Sequence, residues 1–298
     1  MQHVSESLAG RVGILKLQGL SWKELSRKPD GPPFSVPETV PPDAGENLDT
    51  VVGITELYKH ILRGSYPALY AKPDTDIRIF YSSYVQTYLE RDVQSVLKVT
   101  DQQVFLECMR VLAARTGQLL NYTDVAKDIG TSVNTVKNWV RVLEASGIIY
   151  LLQPWSSNLT KRAVKTPKLY FMDTGLCCYL TGWKTADALM DGIMNGSILE
   201  TYVISEILKS WIHNGEDAPA YFYRDRERHE IDLILYCDGK LHPVEIKRSA
   251  NPDLSMTSGF RELQKTDIAT GRGAVICLYH TWLPLSRSVI SIPVWSIY

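Results

Sequence analysis

The step Asp238-Gly239, set between two apolar runs, constrains this chain more than any other feature. Asp-Gly flanked by strand-like residues is a strong signal for a two-residue hairpin. With these two at the centre of the turn, Cys237 faces Lys240 and Ile234 faces Pro243. The same count sets Asp232 opposite Glu245 and Glu230 opposite Lys247. The Asp232–Glu245 pair then falls at a non-hydrogen-bonded position, with Cβ atoms roughly 4.5–5.5 Å apart. Two facing carboxylates repel and weaken a hairpin, and a cation between them removes the conflict. Lys247 shares the face of Glu245, because side chains alternate along a strand.

A third acid comes from outside the hairpin. Leu199 to Trp211 reads as a helix with Val203, Ile204, Ile207, Leu208 and Trp211 on one apolar stripe. Glu200 sits near the centre of that stripe, while Glu206, Lys209 and Ser210 are expected to face away. A carboxylate on a buried face is costly unless it is paired or binds a metal. The alternative is a first-turn Glu favoured by the helix dipole.

Composition sets outer limits. The chain has 298 residues, 45% hydrophobic and 22% charged, which leaves room for two or three domains. A net charge of -1 gives no global attraction to nucleic acid, so any such binding must use local patches. The five Cys have no zinc spacing, and an odd number argues against a disulfide framework. A reducing cytoplasm is the expected location. No stretch approaches a membrane span, and the N-terminus has no signal-peptide apolar region.

Along the chain, residues 1–25 are a short mixed piece, with a helix start at Ser5–Leu8 and a strand at Val12–Leu17. Residues 26–50 form a Pro-rich linker. Residues 51–98 are a helical, lid-like segment, with helices at 54–63 and 77–99. Residues 99–155 carry a winged-helix pattern: helices at 101–115, 123–129 and 133–146, a Gly147 cap, then a wing strand at 148–152. On the third helix Val136, Trp139, Val140 and Leu143 face inward. Asn134, Lys137, Asn138 and Arg141 share the outer face, and these residue types suit base edges and phosphates. DNA or a protein partner is the expected contact. Residues 156–195 connect to the last domain, residues 196–298. Lys161, Arg162, Lys165 and Lys168 read as a solvated basic run. Lys168–Leu176 reads as a strand entering a helix capped by Asp173 or Thr174. Arg224, Arg226 and Arg228 precede the Asp232 strand, as a phosphate contact or an exposed charge run.

Glu200, Asp232 and Glu245-Ile246-Lys247 together resemble the PD-(D/E)xK nuclease superfamily over roughly residues 196–298. The resemblance implies a mixed α/β domain with catalytic Glu200, Asp232, Glu245 and Lys247. It makes Asp232, Glu245 and the Ile246 carbonyl ligands of Mg²⁺, a hard cation suited to oxygen donors. Lys247 would position or stabilise the attacking hydroxide.

Four further runs are similar to a prokaryotic AAA-type ATPase family with a C-terminal domain of unknown function: Ser5–Val12, Leu62–Pro67, Tyr84–Val93 and Pro167–Leu176. That plan places a helical segment, a winged helix and a nuclease-like end after a nucleotide-binding core. The expected architecture is therefore multidomain, mixed α and α/β. Residues 1–25 would be a remnant of the core, in an N-terminally shortened member. No G-x-x-x-x-G-K-[ST] occurs in the chain, so ATP is not expected as its cofactor. Three readings stand: a metal-dependent nuclease-like or DNA-associated portion, a non-catalytic DNA- or protein-binding regulatory module, or an ATPase completed by another polypeptide that carries the nucleotide-binding motifs.

Overall fold

A computed structural model describes residues 13, 15–27, 31–41, 53–93, 102–155, 166–225, 227 and 229–297. The N-terminal half is helical. After a single turn, α1 (Trp22–Leu25), come α2 (Ile54–Arg63), α3 (Pro67–Ala71) and α4 (Ile77–Tyr88), which runs into a π turn at Leu89–Val93. Apolar spacing explains α2, whose Leu57, Tyr58 and Ile61 are buried. Asp76 starts α4 by accepting the Arg78 and Ile79 amides at 2.8 and 3.0 Å.

Next come α5 (Gln102–Ala113), a short β1 (Gln118–Leu119), α6 (Tyr122–Asp128) and α7 (Val133–Ala145). Ser132 caps α7 through the Thr135 amide at 3.1 Å. Gly147, at φ 73°, ends it in the left-handed region that glycine enters without strain. Val136, Trp139, Val140 and Leu143 are buried as expected. The chain continues through β2 (Ile149–Pro154), β3 (Lys168–Phe171), α8 (Thr174–Leu180), α9 (Ala186–Asp191) and α10 (Asn195–Ile212). Asp173 caps α8 through the Leu176 amide at 2.6 Å. Its carboxylate also accepts the Ser65 amide at 2.6 Å and the Tyr81 hydroxyl at 2.8 Å, tying α8 to the helical half.

The last third supplies β4 (Ala220–Arg224), β5 (Glu230–Cys237), β6 (Lys240–Lys247), β7 (Gly273–Cys277), β8 (Leu283–Pro284) and β9 (Val289–Pro293). Among the described residues one sheet runs β1-β3-β2-β4-β5-β6-β7-β9-β8. It is mixed: β2–β4, β6–β7 and β7–β9 are parallel, the other pairs antiparallel. The fold is thus mixed α/β, helical at first and closed by a large sheet. α10 covers one sheet face, burying Val203, Ile204 and Ile207 in the core that holds Leu233, Leu235, Val244 and Ile246. On the other face a 3₁₀ stretch, Leu254–Lys265, closes over Ile231, Ile234 and Leu241.

Three expectations need correction. The described residues of the Val12–Leu17 run form no strand, and Leu15 and Leu17 are exposed. Glu206 and Lys209 do not face solvent, because Leu20, Trp22 and Phe34 lie against their side of α10. The Trp22 amide donates to Glu206 at 2.7 Å, Lys209 Nζ to the Leu20 carbonyl at 3.0 Å, and the Phe34 amide to Ser210 Oγ at 2.9 Å. Lys168 is no solvated loop residue but a buried residue of β3. Ser5–Leu8, Lys161, Arg162, Lys165, Arg226 and Arg228 lie outside the described residues.

Candidate functional site

The site forms where β5 and β6 part. Asp238 and Gly239 take φ of 50° and 74°, the left-handed pair of a type I′ turn. The ladder then runs Cys237–Lys240, Ile234–Pro243 and Leu233–Val244, and there it ends. Asp232 and Glu245 are not ladder partners, nor are Glu230 and Lys247. The reason lies on the other side of β5. Tyr221 faces Ile234 but Tyr223 faces Ile231, so Phe222 opposes both Asp232 and Leu233. This is a β-bulge, which inserts one residue and re-aims a side chain. It explains why Ile231 and Ile234, three apart, share one face.

The bulge turns Asp232 into the fork. Its Oδ2 accepts the Ile246 amide at 2.9 Å, standing in for the missing ladder carbonyl. A strand residue directs its N–H and C=O to the same edge, so the Ile246 carbonyl is turned to the fork as well. Asp232 also lies in side-chain hydrogen-bond range of Glu245. Lys247 Nζ closes the group, 2.6 Å from Glu245 Oε2 and 3.5 Å from Asp232 Oδ2. Burial, and then the Asp232 charge, push the Glu245 carboxyl up to about 9, against the pull of Lys247. Burial works to lower the Lys247 ammonium, but the carboxylates of Asp232 and Glu245 outweigh it and hold it above its usual value.

Glu200 approaches from α10 but is held by other partners. Tyr170 donates its hydroxyl to Oε1 at 2.5 Å, and Lys168 Nζ lies 3.2 Å from the same oxygen. Burial first, then the Asp232 charge, raise Glu200 to about 7, with Lys168 and Tyr170 pulling it back. Lys168 also reaches Glu230 Oε1 at 2.6 Å, and Arg224 reaches Glu230 Oε2 at 3.4 Å. Lys168, Tyr170 and Glu230 were not foreseen as site residues. Their signal was available: Lys168 and Tyr170 alternate on one strand face, as do a polar pair two apart in an otherwise apolar run.

Asp232 and Glu245 bring two carboxylates to the fork, and with the Ile246 carbonyl on the same edge they are hard oxygen donors, the kind that could hold a Mg²⁺ or Mn²⁺. Glu200 does not close on them. Among the described residues, the trio of acid or imidazole groups with ligand atoms all within 4.8 Å of one another is Asp225, Glu227 and His229, at the β4–β5 loop. There His229 Nδ1 lies 2.8 Å from Asp225 Oδ2, and loop closure by this pair accounts for the geometry.

The other candidate surface is α7. Asn134, Lys137, Asn138 and Arg141 are all exposed on one face. Arg141 donates to Asn138 Oδ1 at 3.5 Å, and Lys137 Nζ lies 5.8 Å from the Tyr122 ring centre.

Comparison with known proteins places this architecture beside two domains of unknown function. Residues 54–187 match one, DUF8612, and residues 195–297 match another, DUF4143. Uncharacterized proteins of Mycobacterium tuberculosis and Mycobacterium bovis are each 27% identical over 292 residues, 97% of this chain and 58% of theirs. An uncharacterized protein of Methanocaldococcus jannaschii is 26% identical over 155 residues, 50% of this chain and 31% of its own length. The chain thus spans little more than half the length of the mycobacterial relatives. No solved structure matches it. Among the described residues no helix is long and apolar enough to cross a membrane.

Proposed function

We propose that this chain is a metal-dependent nuclease-like or DNA-associated C-terminal portion of a AAA-type ATPase, without an ATP site of its own. The observation that supports it best is the fork: Asp232 set by a bulge, bonded to the Ile246 amide, beside Glu245 and Lys247. A divalent cation held by Asp232, Glu245 and the Ile246 carbonyl would polarise a phosphodiester and acidify a bound water.

The chain's own groups prepare the place. Burial and the Asp232 charge raise the Glu245 carboxyl, so a cation entering there competes with a proton and binding strengthens with pH. Lys247 is the exposed member, with 39% of its side chain open. It can leave its carboxylates and turn its charge to an incoming phosphate or a developing oxyanion. In the same reading α7 is the third helix of a winged helix, and Lys137 and Arg141 offer phosphate contacts.

A non-catalytic binding module is the second reading, favoured by one observation. Lys247 already bridges Asp232 and Glu245, so the fork holds a cation of its own. Cleavage of single- and double-stranded DNA with Mn²⁺ or Mg²⁺, against Lys247→Ala, separates the two. Wild-type cutting that Lys247→Ala abolishes supports the first. Inactive wild type that still binds the cation supports the second.

A further inference from the structure

Two lysines divide four carboxylates between them. Lys247 bridges Asp232 and Glu245 at 3.5 and 2.6 Å. Lys168 bridges Glu200 and Glu230 at 3.2 and 2.6 Å. The pairs are alike in geometry and opposite in freedom. The Lys168 side chain is 3% exposed, that of Lys247 39%. Lys168 stands on β3, which is paired on both edges by β1 and β2. Its ammonium lies 5.7 Å from the Phe222 ring centre. A long side chain anchored at a doubly paired strand and packed over a ring has nowhere to retreat. Lys247 ends its strand and can swing away.

We infer that Lys168 is a resident internal cation that fills the place a second metal ion would take, so that the site accepts one divalent ion, at Asp232 and Glu245. This rests on the reading of the fork as a divalent-cation site. On the Glu200–Glu230 side Lys168 and Arg224 match the two acids, so the uncompensated negative charge lies at Asp232 and Glu245, which share Lys247 alone. The directions of bonding agree as well. The Glu200 oxygen that a second ion would need already receives Tyr170 and Lys168. A metal would have to displace a buried ammonium, whose own desolvated charge would then stand unpaired. Lys168 is on this view a positioning residue: it holds Glu200 and Glu230 and sets the number of metal ions.

The test counts Mn²⁺ per chain, from the electron-spin signal of the free ion at pH 8, with thermal melts beside it. The expected result is one ion in wild type, none in Asp232→Asn, one in Lys168→Arg and two in Lys168→Met. Mn²⁺ should raise the melting temperature of Lys168→Met more than that of wild type. Should Lys168→Met fail to fold, Glu230→Gln decides: it should bind one ion with wild-type affinity. Two ions in wild type, or a folded Lys168→Met that binds only one, overturns the inference and leaves the fork as a metal site. A loss of roughly 10-fold or more in Glu230→Gln, the effect of removing a ligand or its support, does the same. No ion bound by wild type overturns both.

Discussion

Asp232 Oδ2 takes the place of a backbone carbonyl, accepting the Ile246 amide at 2.9 Å where the β5–β6 ladder stops. One carboxylate therefore ends a sheet pairing and founds the candidate site. The two roles can be separated. Asn keeps an oxygen acceptor without the charge, whereas Ala leaves a buried amide unpaired. Asp232→Ala should lose about 1–3 kcal/mol of stability in urea unfolding, and Asp232→Asn much less. Asp232→Asn should nonetheless lose divalent-cation binding by calorimetry. Full cation affinity in that variant would remove the proposed site.

A second prediction follows from the Glu245 carboxyl, raised by burial and by Asp232 to about 9. The folded chain holds this proton more tightly than the unfolded chain does. Its stabilising contribution is full below the ordinary carboxylate range and is lost as pH rises toward 9. Glu200, raised to about 7, adds in the same direction over a narrower window. Metal-free wild type should therefore lose stability relative to Glu245→Gln between pH 5 and pH 9. A difference between the two proteins that stays flat with pH would contradict the assignment.

The buried pair on α10 gives a third. Lys209 is 1% exposed and pairs with Glu206, which also receives the Trp22 amide. Lys209→Met strands the Glu206 charge and should cost on the order of 3–5 kcal/mol, the effect of breaking a buried pair. Glu206→Gln with Lys209→Met together should recover part of that loss. The check is chemical denaturation of the singles and the double; strict additivity would deny the coupling.

The fourth concerns α7. If its outer face contacts DNA, Lys137→Glu with Arg141→Glu should abolish binding and flatten its salt dependence. Both side chains are exposed, so the melting temperature should hold. Unchanged affinity would assign DNA contact elsewhere.

Much of this was legible in the sequence because local chemistry dictated it. Asp238-Gly239 fixed the turn, and Val136, Trp139, Val140 and Leu143 fixed the inner face of α7. The failures share a cause. Counting back from the turn assumed an unbroken alternation, but a bulge opposite Phe222 adds a residue that no two-residue period reveals. Glu206, Lys209 and Lys168 read as surface residues because the segments that bury them are distant in sequence. Leu20 and Trp22 meet the first two, and the last meets Glu200 and Glu230. Only tertiary packing brings such partners together.

The parallel pairing of β2 with β4 carries the sheet across the gap between the two matched segments. Lys168 belongs to the first segment, and Glu200 and Glu230 to the second. The two are therefore not interchangeable cassettes. A chimera that grafts the second segment onto a foreign first one inherits two acids and forfeits the buried ammonium that bridges them, unless the graft point is moved upstream of residue 168.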